Sequence, residues 1–375
     1  MKSALVAQDG LCYDEMQKGS ACLKIVVLGG GVSTERHVSL VTATSVCRAL
    51  RSLGHRAVFV DLFFGLEGYD GALEALFDAP DGRCGQVAIG HEAPDIKAVR
   101  AARKDQSPSR IGPGVLELCR LADCVFLGLH GADGEDGKIQ AALELLGVPY
   151  TGSGPLASAM AMDKAVAKRM MDACGIRTPN WRELRYGEED ISALTESLPV
   201  PCAVKVVDGG SSLGVALPDT RQELRGALKE LLAFGSRVVV EEKIRGREIT
   251  VPVLDGRALS PIEIVPPESG KFDYISKYQP GAEGAKELCP APITEAEKRE
   301  VSEAALKLHR ALDLRVYSRT DFILDAEGRA WCLEVNTLPG MTPASLIPKA
   351  AAVAGMSYEE LCEAIVQLSL KEKRS

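Results

Sequence analysis

Four residues near the C-terminal end have types and spacing that could do chemistry: Arg319, Asp321, Glu334 and Asn336. They lie in the stretch Tyr317-Ser-Arg-Thr-Asp321-Phe-Ile-Leu-Asp325-Ala-Glu-Gly328-Arg-Ala-Trp-Cys-Leu-Glu334-Val-Asn336. This reads as two strands around the turn Asp325–Gly328, where glycine supplies the positive φ that such a turn often needs. Side chains alternate faces along a strand. One face then carries Arg319 and Asp321, followed by Glu334 and Asn336. The other carries Phe322 and Leu324, followed by Trp331, Leu333 and Val335, and reads as a core face. Ile323 and Cys332 interrupt the polar face next to the turn. Two carboxylates and an amide oxygen on one face suit a hard cation such as Mg²⁺, and Arg319 beside them suits a phosphate in transfer. The plain alternative is a solvated hairpin face. Three oxygen donors so placed, with no Lys among them, weigh against it.

The rest of the chain must position that face. Its 375 residues are enough for two or three domains and a large core. Hydrophobic residues make up 46% and charged residues 26%, an ordinary globular balance. The net charge of −8 argues against a nucleic-acid-binding surface, so an anionic substrate needs local Lys and Arg. The 11 cysteines are scattered, with no CxxC pair or zinc spacing, which fits a reducing, cytoplasmic setting. No apolar run approaches membrane-spanning length, and the first 22 residues lack a signal-peptide core.

Residues 23–28 read as a buried parallel strand. A glycine turn, Gly29–Ser33, and a helix to about Gly54 follow, an arrangement that can aim backbone N–H groups at an anion or polar ligand. The turn is not GxGxxG, which excludes a dinucleotide site. Glu35 stands at the helix start, as a favourable dipole charge or as a ligand contact. Residues 56–61 and 124–130 are further strands, with His130 and Glu135 at the carboxyl edge where α/β sheets bind ligands. Between them, residues 62–120 are hard to read, with helix-like pieces near 70–78 and 95–104. The basic run 100–110 reads as an exposed insertion.

Pro155–Cys174 reads as one helix containing Met162-Asp163-Lys164, stopped by Gly175. Residues 200–215 read as strand, glycine- and serine-rich loop, strand. Such a hairpin can close over phosphates, with Lys205 adding a charge. Residues 237–251 pass from a buried strand through a polar segment that could meet an adenine edge, with Glu248 for a ribose. The long loop around Lys277 and Tyr278 has the length of a lid. A helix over 293–312, the opening hairpin and a terminal helix from about Ser357 complete the chain. These pieces alone give a phosphate- and Mg²⁺-using α/β enzyme.

In order, the motifs GGGVSTERHVSL, HGADGEDGKIQ, YTGSG…AMDK, VKVVDGGSSLG, EEKIRGRE, FDYISKY, SRTDF and LEVNTLPGMTPASL resemble the ATP-grasp superfamily and, within it, the D-alanine–D-alanine ligase family. The resemblance covers about residues 24–370. It implies an α/β fold, α+β in its C-terminal part: a Rossmann-like parallel-sheet domain, the pre-ATP-grasp domain, followed by a two-part ATP-grasp fold. The expected divisions are an extension at 1–22, an N-terminal domain at 23–152, a central subdomain at 153–241 and a C-terminal subdomain at 242–375.

The same resemblance implies roles for individual residues. Lys164 and Lys205 hold ATP phosphates, Ser211 and Ser212 cover them, and Lys277 reaches them from the lid. Glu241 and the backbone near Ile244 meet adenine, and Glu248 meets the ribose. Asp321, Glu334 and Asn336 ligate two Mg²⁺ or Mn²⁺ ions. Glu35 pairs with the ammonium of a first D-alanine and His130 lies near its carboxylate. Glu35, Ser211 and Tyr278 close the lid. Arg319 and the Gly340 N–H form an anion hole, and Ser345 and Leu346 hold the carboxylate of a second D-alanine. The expected product is D-alanyl-D-alanine for peptidoglycan, made by a homodimer with no membrane or nucleic-acid partner. Lys277-Tyr278-Gln279 also resembles D-alanine–D-serine ligases, which keeps D-serine open as second substrate. The rivals are another carboxylate–amine ligase of the superfamily and a catalytically silent nucleotide-binding scaffold, against which the full charged set argues.

Overall fold

The computed structural model describes residues 21–85, 94–209, 214–267 and 285–372. Ser211, Ser212, Lys277 and Tyr278 lie outside them, as does most of the N-terminal extension.

Three sheets carry the architecture. The first holds strands β1 (Lys24–Gly29), β2 (Arg56–Asp61) and β3 (Cys124–Leu127), all parallel in the order β2-β1-β3. Helix α1 (Arg36–Ser52) links β1 to β2, and α2 (Ile96–Ala102) and α3 (Val115–Cys119) precede β3. After β3 come α4 (Lys138–Leu145), α5 (Pro155–Met162) and α6 (Lys164–Ala173). The second sheet is antiparallel, ordered β4-β7-β5-β6, from β4 (Trp181–Arg185), β5 (Cys202–Val206), β6 (Val215–Ala216) and β7 (Arg237–Glu242). Helices α7 (Ile191–Ser197) and α8 (Arg221–Leu231) supply apolar faces to its core.

The third sheet contains β8 (Arg247–Leu254), β9 (Arg257–Ala258), β10 (Ile262–Val265) and β11 (Lys286–Leu288). Beyond helix α9 (Glu295–Ala311) it gains the hairpin β12 (Tyr317–Leu324) and β13 (Ala330–Asn336), with the order β11-β10-β8-β12-β13 and β9 beside β8. Helices α10 (Leu346–Val353) and α11 (Tyr358–Lys371) end the described chain. Thr294 with Glu297, and Ser357 with Glu360, form reciprocal capping boxes that start α9 and α11.

The last two helices return to the first sheet. Ile347, Ala350, Leu361 and Ile365 share one buried cluster with Ile25, Val27, Leu50 and Phe126. His55, just before β2, is 2.6 Å from Glu363 of α11. The two helices that follow the metal-type hairpin are therefore packed on the first sheet.

Several sequence expectations are revised. The helix over 155–174 breaks at Asp163, whose ψ of 100° ends α5 and whose carboxylate accepts the Val166 N–H to cap α6. The break sets Lys164 at the first position of α6. Helix α3 had no clear signal. The run 100–110 is not simply exposed: Arg103 is 1% exposed and donates to the carbonyls of Phe63 and Ser109 and to Asp105 and Ser107. The cysteines are not all apart either, since Cys47 of α1 and Cys84 form a disulfide with Cα atoms 6.6 Å apart.

Candidate active site

The β12–β13 register pairs Arg319 with Asn336 and Asp321 with Glu334, so the polar face expected from alternation forms. The core face differs. The pairing shifts by one residue between Asp321 and Phe322, leaving Leu333 as the extra residue of a bulge. Cys332 and Ala330 therefore join Phe322, Leu324 and Val335 in the core, and Trp331 turns out of it. Trp331 Nε1 instead donates to Asp325 in the turn, where Gly328 has φ +75°.

Asp321 is the hub of this face. Arg319 grips both its oxygens, Nε to Oδ1 at 2.9 Å and a terminal nitrogen to Oδ2 at 2.7 Å. Thr250, its neighbour on β8, donates to Oδ1 at 2.5 Å, and the Asn336 amide donates to Oδ2 at 3.1 Å. Glu334 has its carboxylate 3.5 Å from Lys164 Nζ. The donor chemistry fits a hard divalent ion: two carboxylates on directly opposed residues, with the amide oxygen of Asn336 beside them.

Behind the hairpin sits a buried charge cluster. Lys205 of β5 donates to Glu241 of β7 at 3.0 Å, and Lys168 of α6 approaches the other Glu241 oxygen at 3.3 Å. Burial alone would push Glu241 up, but Lys205 and Lys168 hold its carboxyl below the usual range. Burial would pull Lys205 down, and Glu241 and Glu334 hold it above its ordinary value. Burial prevails at Lys168, which is pulled down. Lys168 Nζ also donates to Thr178 Oγ1 at 2.6 Å, and that hydroxyl donates to the Cys332 carbonyl at 2.8 Å, tying the cluster to β13. Lys164 Nζ donates to the Gly209 carbonyl. A small pocket lies where Lys164, Gly209, Glu334, Asn336 and Glu135 converge. Ile244 lies in the link from β7 to β8, and Glu248 precedes Thr250 by two positions on the face of β8 that also faces Asp321.

The first sheet meets the hairpin through its loops. His130 is buried, and both ring nitrogens are engaged. Nδ1 donates to the Leu338 carbonyl at 2.9 Å, so Nε2 accepts from Thr42 Oγ1 at 2.9 Å. Burial, countered in part by the Leu338 carbonyl, lowers its pKa to about 4 and keeps it neutral. Glu135 accepts the Gly131 N–H at 3.0 Å and the Leu338 N–H at 3.3 Å. Burial first, then the charge of Glu35, push it up to about 7. Glu35 is buried at the N-terminus of α1, and a Cβ on Gly131 would fall 3.0 Å from its carboxylate.

Two N–H groups of the glycine turn 29–33 are taken up inside the protein. Gly30 N–H goes to Ser39 Oγ, and Val32 N–H goes to Asp133. Asp133 also takes Arg110 at 2.5 Å, so the 62–120 region reaches the site. At the far end, Gly340 packs against Ser345, whose Oγ a Cβ at 340 would meet at 2.9 Å. Ser345 is the N-cap of α10 and Leu346 its first residue. Described site residues thus converge on two places, the hairpin face with its lysines and the Leu338–Leu346 segment with Glu35 and His130.

The family descriptions "D-ala D-ala ligase N-terminus" and "D-ala D-ala ligase C-terminus" match residues 24–153 and 170–367. A D-alanine–D-alanine ligase of Pediococcus pentosaceus is 40% identical over 349 residues, which are 92% of this chain and 97% of that protein. The chain belongs to the D-alanine–D-alanine ligase family. Its fold agrees with solved members. The Bacillus anthracis D-alanine–D-alanine ligase complexed with ATP superposes with TM-score 0.66 at 29% identity, over 93% of this chain and 97% of that one. The VanG D-Ala:D-Ser ligase of Enterococcus faecalis superposes with TM-score 0.69 at 28% identity, over 92% and 99%. The family is one of ATP-dependent ligases, and among the described residues no helix is long and apolar enough to cross a membrane.

For a member of this family, sequence reasoning missed two supporting residues. Lys168 follows Lys164 by one helical turn, a spacing that puts both on one face. The nearby Thr178 gave no signal. Glu135 was visible at the sheet edge, but nothing local tied it to Leu338.

Proposed function

We infer that this protein joins two D-alanine molecules into D-alanyl-D-alanine at the expense of ATP, through an acyl phosphate, for peptidoglycan synthesis. The observation that carries this reading is the hairpin register opposing Asp321 to Glu334 and Arg319 to Asn336, with Lys164 on Glu334.

In this reading Lys164 and Lys205 hold the ATP phosphates, aided by Ser211 and Ser212 of the glycine loop and by Lys277. Glu241 keeps Lys205 charged and, with the main chain at Ile244, meets adenine, and Glu248 meets the ribose. Asp321, Glu334 and Asn336 would hold Mg²⁺, which when bound supplies positive charge between the nucleotide phosphates and an incoming carboxylate. Glu35 holds the ammonium of the first D-alanine, and His130 stands near its carboxylate as a neutral group. Ser211 and Tyr278 complete the set with Glu35 that closes the site and keeps water from the acyl phosphate.

The γ-phosphoryl moves to the carboxylate of the first D-alanine. The amine of the second then attacks the activated carbonyl and phosphate leaves with the former carboxylate oxygen. Arg319 and the Gly340 N–H stabilise the tetrahedral oxyanion, where preorganised donors act most strongly. Ser345 and Leu346 seat the second carboxylate at the N-terminus of α10. The three-part division at residues 152 and 241, a homodimer and a cytoplasmic location belong to the same proposal.

The second reading is D-serine as acceptor, favoured by Lys277-Tyr278-Gln279. The test is ADP release and product identity with ATP, Mg²⁺ and D-alanine, alone or with D-serine, D-lactate or L-alanine. D-alanyl-D-alanine as main product upholds the first reading. A D-alanyl-D-serine preference selects the second. No D-alanine-dependent ADP removes both.

A further inference from the structure

A buried N–H is satisfied by any neutral acceptor. Yet Glu135 is 8% exposed, close enough to Glu35 to feel its charge, and committed through both oxygens to main-chain N–H groups of two different lobes. Gly131 belongs to the loop after β3, whereas Leu338 lies beyond β13. A neutral acceptor would bind these N–H groups with less desolvation. A carboxylate kept here at that penalty has a further use.

The geometry identifies that use. Leu338 is held at both of its main-chain groups, its N–H by Glu135 and its carbonyl by His130. It lies midway between Asn336, at the end of the hairpin, and Gly340, packed on Ser345. We propose that Glu135 is a positioning residue for the anion hole: by clamping the Leu338 N–H to the Gly131 turn, it sets where the Gly340 N–H stands relative to Arg319. The inference rests on the ligase reading above. One side chain of the first lobe thus reaches the Leu338–Gly340 half of the oxyanion site through the backbone.

The consequence is selective. Phosphoryl transfer depends on the lysines and the hairpin face; Glu135 lines the same small pocket as Lys164 and Glu334, but its hydrogen bonds go to Gly131 and Leu338. Attack by the second amine depends on the Leu338–Leu346 segment. Losing the clamp should therefore slow the second half-reaction and leave acyl phosphate to be hydrolysed by water.

The experiment compares wild type with Glu135→Ala, Glu135→Asp and Glu135→Gln, measuring ADP, dipeptide and the KM values for ATP and D-alanine. Glu135→Ala should form dipeptide about 10- to 100-fold more slowly, in line with small misplacements at reacting centres. Its ADP-to-dipeptide ratio should rise above the wild-type value and its KM for ATP should stay within about twofold, since the nucleotide lysines are untouched. Glu135→Gln has one acceptor oxygen for two N–H groups, so it loses half of the clamp and should slow dipeptide formation toward the alanine value. Glu135→Asp, one methylene shorter, should fall between wild type and alanine. Should the alanine variant not fold, the Asp and Gln variants carry the comparison. Wild-type rate and stoichiometry in all three, or equal loss of ADP and dipeptide with the ratio unchanged, overturns the proposal. A wild type without D-alanine-dependent ADP release instead removes the ligase reading on which it stands.

Discussion

Arg319 and Asp321 share one face of β12, and the guanidinium holds the carboxylate through both oxygens at 2.9 and 2.7 Å. The bidentate pair fixes the arginine at the centre of the polar face. The pair uses only two of the five guanidinium N–H donors, so others can meet a developing oxyanion without breaking it. Removing the guanidinium takes away a donor used in the transition state and leaves the nucleotide lysines in place. Arg319→Ala should lower kcat by roughly 100-fold or more, with ATP affinity nearly intact. Steady-state kinetics with a separate nucleotide titration checks this, and unchanged turnover would remove Arg319 from the chemistry.

The carboxylates on the same face give a different signature. Glu334 faces Asp321 across the strands. Glu334→Gln keeps shape and hydrogen bonding but removes a charge, so activity should require a higher Mg²⁺ concentration while the melting temperature hardly moves. Chelation of divalent ions should abolish wild-type turnover, and re-addition should restore it. A metal titration that superimposes on the wild-type curve contradicts the assignment of Glu334.

Lys168, Lys205 and Glu241 form a unit whose failure is structural as well as catalytic. Lys168 and Glu241 side chains are each 1% exposed. Lys168→Met leaves Lys205 to neutralise Glu241 alone and strips Thr178 of its donor. Breaking a buried pair in this way should cost about 3 kcal/mol, read from the denaturant midpoint at constant slope. The Lys168→Met, Glu241→Gln double variant should lose still more, because it leaves Lys205 buried without its main carboxylate partner. Equal stability of all three proteins would show that the cluster is not coupled.

How far the site was legible in the sequence follows from the range over which each signal acts. The polar face of the hairpin was readable because strand alternation is local, and the register keeps Asp321 opposite Glu334. The core face was misread at Trp331 and Leu333, because a one-residue bulge reverses the alternation without changing composition. Asp163 was hidden inside a helix-like run, since a capping Asp and a solvated Asp look alike until the backbone turns. Leu338 and Glu135 are separated by 203 positions, and only folding brings them together. Arg103 looked like one more surface base in a charged run, yet it holds that segment together from inside.

Two buried histidines set a pH limit on stability. Burial is the leading cause at both His130 and His309, and each pKa falls from 6.5 to about 4. The folded state therefore keeps the imidazoles neutral in a range where the unfolded chain takes up protons. Their contribution is complete above pH 6.5 and is lost as pH falls toward about 4. Glu135 acts in the opposite sense, since its carboxyl, pushed up to about 7, favours the folded state as pH falls below that value. A single-site comparison separates the two. His309 bonds Ser318 Oγ at 2.7 Å, a contact that an amide can imitate. The stability difference between wild type and His309→Asn should shrink by roughly 2 kcal/mol between pH 7 and pH 5, as the wild type loses a term the variant never had. Denaturant unfolding at the two pH values reads this directly. A difference that stays constant would mean that His309 titrates alike in the folded and unfolded chains.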